Sequence, residues 1–258
     1  MPSILFEINN FIAFITLNRL EKFNAFNREM ALLLQKRLDE CESNKHIRCV
    51  FITGSGKAFC AGQDLAEVVD PKGPGMKKIL SEHYNPIITK IRHLNKPVVA
   101  AVNGIAAGAG ANIALCCDVV VAAQSASFLQ AFSKIGLIPD SGGTFFLPRL
   151  IGFQKASAYM MLGDKISAAE AESLGMIYKI FPDISFKEEA EKIALTLASL
   201  PTIGLAYTKQ ALNKSQEQSL EEQLKTEDDF QQKAALTSDF KEGVAAFLEK
   251  RKAIFKGE

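Results

Sequence analysis

Two stretches of small residues could do chemistry through their backbone alone: Ala58-Phe59-Cys60-Ala61-Gly62-Gln63-Asp64 and Asn103-Gly104-Ile105-Ala106-Ala107-Gly108-Ala109-Gly110. Each follows a run patterned as a buried strand, so each is placed to aim a main-chain N–H at a ligand. Two such donors on one oxygen would hold the negative charge that develops on a carbonyl during reaction, because fixed donors in a dry site need no reorganisation when charge appears. Small residues at 61, 62 and 106–111 permit close approach of backbone to ligand, although tight strand-to-helix packing uses the same residues. Asp140, in Ile138-Pro139-Asp140-Ser141-Gly142-Gly143, is the main candidate for moving protons. An Asp after Pro and before small residues is also a favoured helix cap.

The elements that must position these residues follow from patterning. Residues 4–17 read as a hairpin turning at Asn9-Asn10. Asn27 reads as an N-cap with Met30 third in a helix that runs to about Glu42 with Leu33, Leu34 and Leu38 at helical spacing. Cys49–Gly54, Pro97–Val102, Val119–Ala123 and Met176–Phe181 are short, mostly β-branched runs of strands buried on both faces. Helical patterns lie between them, which predicts an α/β fold with a largely parallel sheet. Val68–Gly75 reads as a flexible loop. From 185 onward only helical periodicity remains, with breaks expected at Pro201 and near Ser238-Asp239, so the chain divides into a core over 1–184 and a helical region over 185–258. Its amphipathic stretches need a surface to pack on. Asp64 reads as a cap for a helix starting at Leu65 rather than as an acid-base group.

Bulk composition narrows the class. The 258 residues carry 30 Lys and Arg against 29 Asp and Glu, a net charge of +1, so no global field recruits nucleic acid or an anionic membrane. Apolar stretches are broken well before the roughly 18 residues of a membrane span, and Met1–Glu7 has no export pattern. Five cysteines without zinc or disulfide spacing read as buried reduced thiols suited to a cytoplasmic compartment. His46, His83 and His93 share no ligand spacing and read as packing or surface residues, so no metal is implied.

Lys57–Leu65 (KAFCAGQDL), Lys96–Asp118 (KPVVAAVNGIAAGAGANIALCCD) and Gly136–Gly152 (GLIPDSGGTFFLPRLIG) resemble the crotonase, or enoyl-CoA hydratase/isomerase, superfamily. The likeness runs from about residue 4 to the end, including Ile166–Ala171 and Glu242–Lys256. It implies a crotonase-like spiral of ββα units with a helical C-terminal region for oligomerisation and CoA capping, assembled as a homotrimer or hexamer on acyl-CoA thioesters. No separate cofactor is implied, since the thioester is the substrate. The two oxyanion donors fall on the N–H groups of Gln63 and Ala109. The resemblance places Ala58, Ala61 and Gly62 near the CoA moiety and brings Phe247 and Lys250 toward the acyl pocket and CoA phosphates. Where family hydratases carry two glutamates, this chain has Asn112 and Phe132. An amide and a phenyl ring make a poor pair for adding water.

Asp140 matches the working aspartate of some family isomerases and dehalogenases. Phe132 beside it would disfavour the ionised carboxylate and raise its basicity. Segments 131–144 and 242–248 are most similar to the family's isomerases that rearrange an aryl epoxide or shift a double bond. The resemblance therefore implies an isomerase. An enoyl-CoA hydratase of fatty-acid oxidation and a non-catalytic acyl-CoA- or RNA-binding relative are the alternatives.

Overall fold

The computed structural model describes residues 2–258. The chain begins with an antiparallel hairpin, β1 (Ile4–Asn9) and β2 (Ile12–Leu17). Its turn is one residue later than expected. Asn10 and Phe11 take φ values of 48° and 64° while Asn9 pairs with Ile12, the two-residue geometry whose twist matches the flanking strands. That register puts Ile12 and Ile15 into the core, and Phe11 lies under the Arg48 guanidinium, 5.9 Å from it.

The next helix, Arg28–Ser43, starts at Asn27, whose side chain accepts from Met30 N at 3.0 Å. Met30, Leu34 and Leu38 are essentially inaccessible, and each such side chain contributes about 1.5–3 kcal/mol on burial. This stripe holds the helix against the sheet.

From here strands come in pairs. β3 (Cys49–Gly54) and β4 (Ala58–Cys60), β5 (Val98–Val102) and β6 (Ile105–Ala107), then β7 (Val119–Ala123) and β8 (Ser127–Leu129) follow one another, with β9 (Lys165–Ser167) and β10 (Lys179–Phe181) later in the chain. The first strand of each pair joins a six-stranded sheet ordered β1-β2-β3-β5-β7-β10, and the second joins a four-stranded sheet ordered β4-β6-β8-β9. All neighbours from β2 to β10 in the larger sheet are parallel, as are β4, β6 and β8 in the smaller one. This alternation is the ββα spiral. The run expected over Met176–Phe181 pairs only from Lys179, because Met176 and Ile177 are taken up by the turn after Gly175.

The C-terminal helices are Phe186–Ser199, Thr202–Lys214, Leu220–Ala235 and Ser238–Leu248. The first belongs to the main core: Phe186, Ala190, Ala194 and Ala198 recur every four residues and are buried. The second is anchored by Lys209, whose Nζ lies 2.8 Å from the Asp118 carboxylate and donates to the carbonyls of Ile91 and Lys96. A break at residues 215–219 was not anticipated; it ends in Ser219, which forms a reciprocal capping box with Glu222. The last break falls at Leu236-Thr237, with Thr237 as the cap. Phe247 and Leu248 at the chain's last helix, and Phe153 and Met161 nearer its middle, are large apolar side chains facing out. Among the described residues no helix is long and apolar enough to cross a membrane. All five cysteines are buried free thiols, and burial pushes those of Cys41 and Cys60 up to about 12.

Candidate active site

β4 and β6 lie side by side, and the chain leaves both at the same end. After Cys60 the chain turns through Gly62, with φ +93°. A Cβ there would sit 2.9 Å from the Ala107 carbonyl oxygen and 3.6 Å from Ala109 N. Glycine is thus required twice, for its conformation and for the approach of the two turns.

Gln63 is fixed on both sides. Phe26 N donates to Gly62 O at 2.7 Å and Asp64 N donates to Phe26 O at 2.8 Å. Its side chain is also clamped: the Tyr84 hydroxyl donates to Oε1 and Nε2 donates to Glu67 Oε2, both at 2.8 Å. Asp64 caps the Leu65–Val69 helix through Ala66 N, as the sequence suggests, and also pairs with Arg19 at 2.9 Å. Gly108, with φ +52°, precedes the helix Ala109–Leu115, so Ala109 N–H belongs to that helix's first turn and has no intrahelical acceptor. Among the described residues, the main-chain N–H groups of Gln63 and Ala109 have no acceptor within the chain.

Asp140 sits across the same cleft, half-buried. It does not cap the helix that follows: Gly143–Ile151 starts after Gly142 with no side-chain cap. Its carbonyl instead accepts from Gly143 N and from Asn112 Nδ2, both at 2.8 Å. Asn112 is fully buried, and Gln130 Nε2 donates to its Oδ1 at 2.7 Å. Ser141, with φ +51°, turns its hydroxyl back to donate to Asp140 Oδ1 at 2.8 Å. Burial pushes the Asp140 carboxyl above its ordinary value, and the Ser141 hydrogen bond opposes that shift.

The cleft has a volume of about 200 Å³. Ala61, Gly62, Gln63, Ala109, Phe132 and Asp140 all line it, with an apolar wall that includes Leu65, Val68, Met76 and Leu137. Among the described residues lining it, Asp140 is the sole carboxylic acid. Larger grooves of about 510 and 670 Å³ elsewhere hold none of these residues, so the residues gathered in this cleft mark it better than volume does.

Other sequence-derived candidates lie elsewhere. Asn112 stands behind Asp140 rather than in the cleft. Ala58 is buried within β4, its carbonyl accepting from Asn24 Nδ2 at 2.8 Å. Phe247, 82% exposed, and Lys250, with φ +56°, sit at the end of the last helix and do not line the cleft.

Tyr84 and Lys134 line the cleft and were not singled out from sequence. Tyr84 ends a π-helical turn, Ile79–Tyr84, which no regular periodicity announces. Burial pushes its phenol well up, so it stays protonated and donates. His83 is buried with Nε2 3.0 Å from an Arg28 nitrogen, a packing role. His46 and His93 are exposed.

A two-sheet ββα spiral with paired turns at the ends of neighbouring strands defines an acyl-CoA enzyme fold, and the chain belongs to the enoyl-CoA hydratase/isomerase, or crotonase, family, whose sequence pattern matches residues 7–258. It is 44% identical over the full length of both chains to the 1,2-epoxyphenylacetyl-CoA isomerase of Escherichia coli K12. It is 34% identical, again over both full lengths, to the 2,3-dehydroadipyl-CoA hydratase of the same organism. Among solved structures, the enoyl-CoA hydratase of Bacillus anthracis matches with a TM-score of 0.91 and 34% identity, covering 99% of this chain and 100% of that one. The protein is thus a crotonase-family enzyme of CoA thioesters.

Proposed function

We propose that this enzyme is an acyl-CoA isomerase that shifts a double bond or rearranges an aryl epoxide. The observation that carries the reading is the lone carboxyl of Asp140 in an apolar cleft also lined by Gln63 and Ala109, whose main-chain N–H groups have no acceptor among the described residues. The thioester oxygen lies between the two N–H groups, Asp140 removes a proton from the carbon next to the carbonyl, and an enolate forms. The resulting carboxylic acid returns the proton further along the conjugated chain, so one group serves both transfers. In the epoxide case the same enolate precedes ring expansion. No separate cofactor is needed.

Water addition needs a second acid-base group. The positions where family hydratases carry glutamate hold Asn112, which is committed to the Asp140 carbonyl and Gln130, and the phenyl ring of Phe132. The 44% identity to an epoxyphenylacetyl-CoA isomerase points the same way. The outward apolar side chains of Phe153, Met161 and Phe247 suit a homotrimer or hexamer, and the buried free thiols suit the cytoplasm.

The test is a parallel assay of 3-hexenoyl-CoA isomerisation and crotonyl-CoA hydration. Isomerisation is expected to dominate, and Asp140→Asn is expected to lower it by about 10²–10⁴-fold while CoA-ester affinity is kept. Dominant hydration, or undiminished turnover in Asp140→Asn, would overturn the assignment.

A further inference from the structure

Adjacent side chains along an extended chain point apart, yet those of Asp140 and Ser141 meet. Two successive residues with positive φ, Ser141 at +51° and Gly142 at +73°, fold the backbone back on itself. Glycine takes such a conformation freely, whereas serine does so at a cost that the surrounding structure must offset. What the serine supplies is its hydroxyl, which donates to Asp140 Oδ1 at 2.8 Å. Ser141 is 3% exposed, so water does not compete for that bond. A hydroxyl has one hydrogen to give, and here it goes to the carboxylate.

We propose that Ser141 is a positioning residue that occupies Oδ1, leaves Oδ2 as the oxygen that takes the proton, and holds the carboxylate ionised in its apolar surroundings. The inference rests on the acid-base role proposed for Asp140. The groups facing Asp140 from the elements around it are few. Tyr84 presents its phenol from the 79–84 turn and Lys134 lines the cleft from the turn Ala131–Ile135. Asn112 from the helix Ala109–Leu115 is neutral and reaches only the main-chain carbonyl. Ser141 is therefore the side chain that bonds directly to the reacting carboxylate. The hydrogen bond is made to the charged form, so removing it disfavours ionisation and moves the carboxyl upward.

The experiment measures kcat/KM for 3-hexenoyl-CoA isomerisation against pH in the wild type, Ser141→Ala, Ser141→Gly and Asp140→Asn. A hydrogen bond to a charged group corresponds to a shift of about one to two pH units. The acidic limb is expected to move to higher pH by that amount in both Ser141 variants, with the high-pH plateau kept within about tenfold. Glycine also relieves the positive φ, so equal shifts in the two variants separate loss of the hydroxyl from backbone distortion. An unmoved limb in Ser141→Gly, or a uniform fall in rate at every pH in both variants, overturns the role of Ser141 while a dead Asp140→Asn upholds that of Asp140. Full turnover in Asp140→Asn overturns both.

Discussion

Gly143→Ala adds one methyl group where the site has no room for it. Built on the present backbone, the new Cβ falls 2.5 Å from Asn112 Nδ2 and 2.9 Å from its Cγ and Oδ1. Ordinary contact requires about 3.5 Å, so the amide must withdraw by about 1 Å, which stretches its 2.8 Å bond to the Asp140 carbonyl past any useful length. Asn112 cannot withdraw freely, since every residue of its helix, Ala109–Leu115, is buried. Overpacking costs about 1–3 kcal/mol, and an unpaired buried amide adds about 1–3 kcal/mol. Alanine's better helix propensity returns at most about 1 kcal/mol. A net loss of about 1–5 kcal/mol is expected, read as a lower urea midpoint at unchanged slope. The alternative relaxation moves the Asp140 turn instead, and a displacement near 1 Å lowers turnover by roughly 100-fold. Urea unfolding and 3-hexenoyl-CoA isomerisation measured on the same preparation separate the two routes. A variant as stable and as active as the parent would refute the strut from Asn112 to Asp140.

Gly204→Ala is the matched control: its Cβ meets only Pro201 Cβ at 3.8 Å inside the helix Thr202–Lys214, so a gain of about 0.5–1 kcal/mol in urea unfolding and unchanged turnover are expected. Asp140→Asn is expected to stabilise the fold at pH 7 while it removes activity. A carboxyl raised in the folded state favours folding below its unfolded value and loses that contribution as pH rises through its folded value. The stability gap between variant and wild type, followed by thermal melts, is therefore largest near neutrality and closes toward about pH 3–4. A gap that instead widens in acid would reject the raised carboxyl.

The long strands were legible because their chemistry is local. Cys49–Gly54 and Val98–Val102 are runs buried on both faces, and such strands read directly from composition. The smaller sheet was not, since Ala58–Cys60, Ile105–Ala107, Ser127–Leu129 and Lys165–Ser167 are three-residue strands whose partners lie far along the chain. Three residues cannot display an alternation. The hairpin turn slipped by one position because Asn-Asn is the better turn pair by propensity, whereas the burial of Ile12 and Ile15 fixes the register. The capping role of Asp64 was readable, being an effect over two residues. Asp140 emerged from its motif, but the contacts that hold Asp140 and Gln63 in place did not. Asn112, Gln130 and Tyr84 act across 18 or more positions of sequence, through contacts that only the folded spiral creates.

Gln63 and Ala109 follow two strands that are neighbours in a parallel ladder. The gap between such strands is about 4.8 Å, set by peptide geometry and indifferent to side chains. The two turns start from that spacing, and the absence of a side chain at Gly62 lets them stay close beyond the strand ends. What remains free to vary is the rest of the lining, where Phe132 and Asp140 stand with Asn112 behind them. On the proposed reading, a lineage built this way can change its reaction without rebuilding its grip on the thioester, much as a vice keeps its jaws while the tool above the workpiece is exchanged.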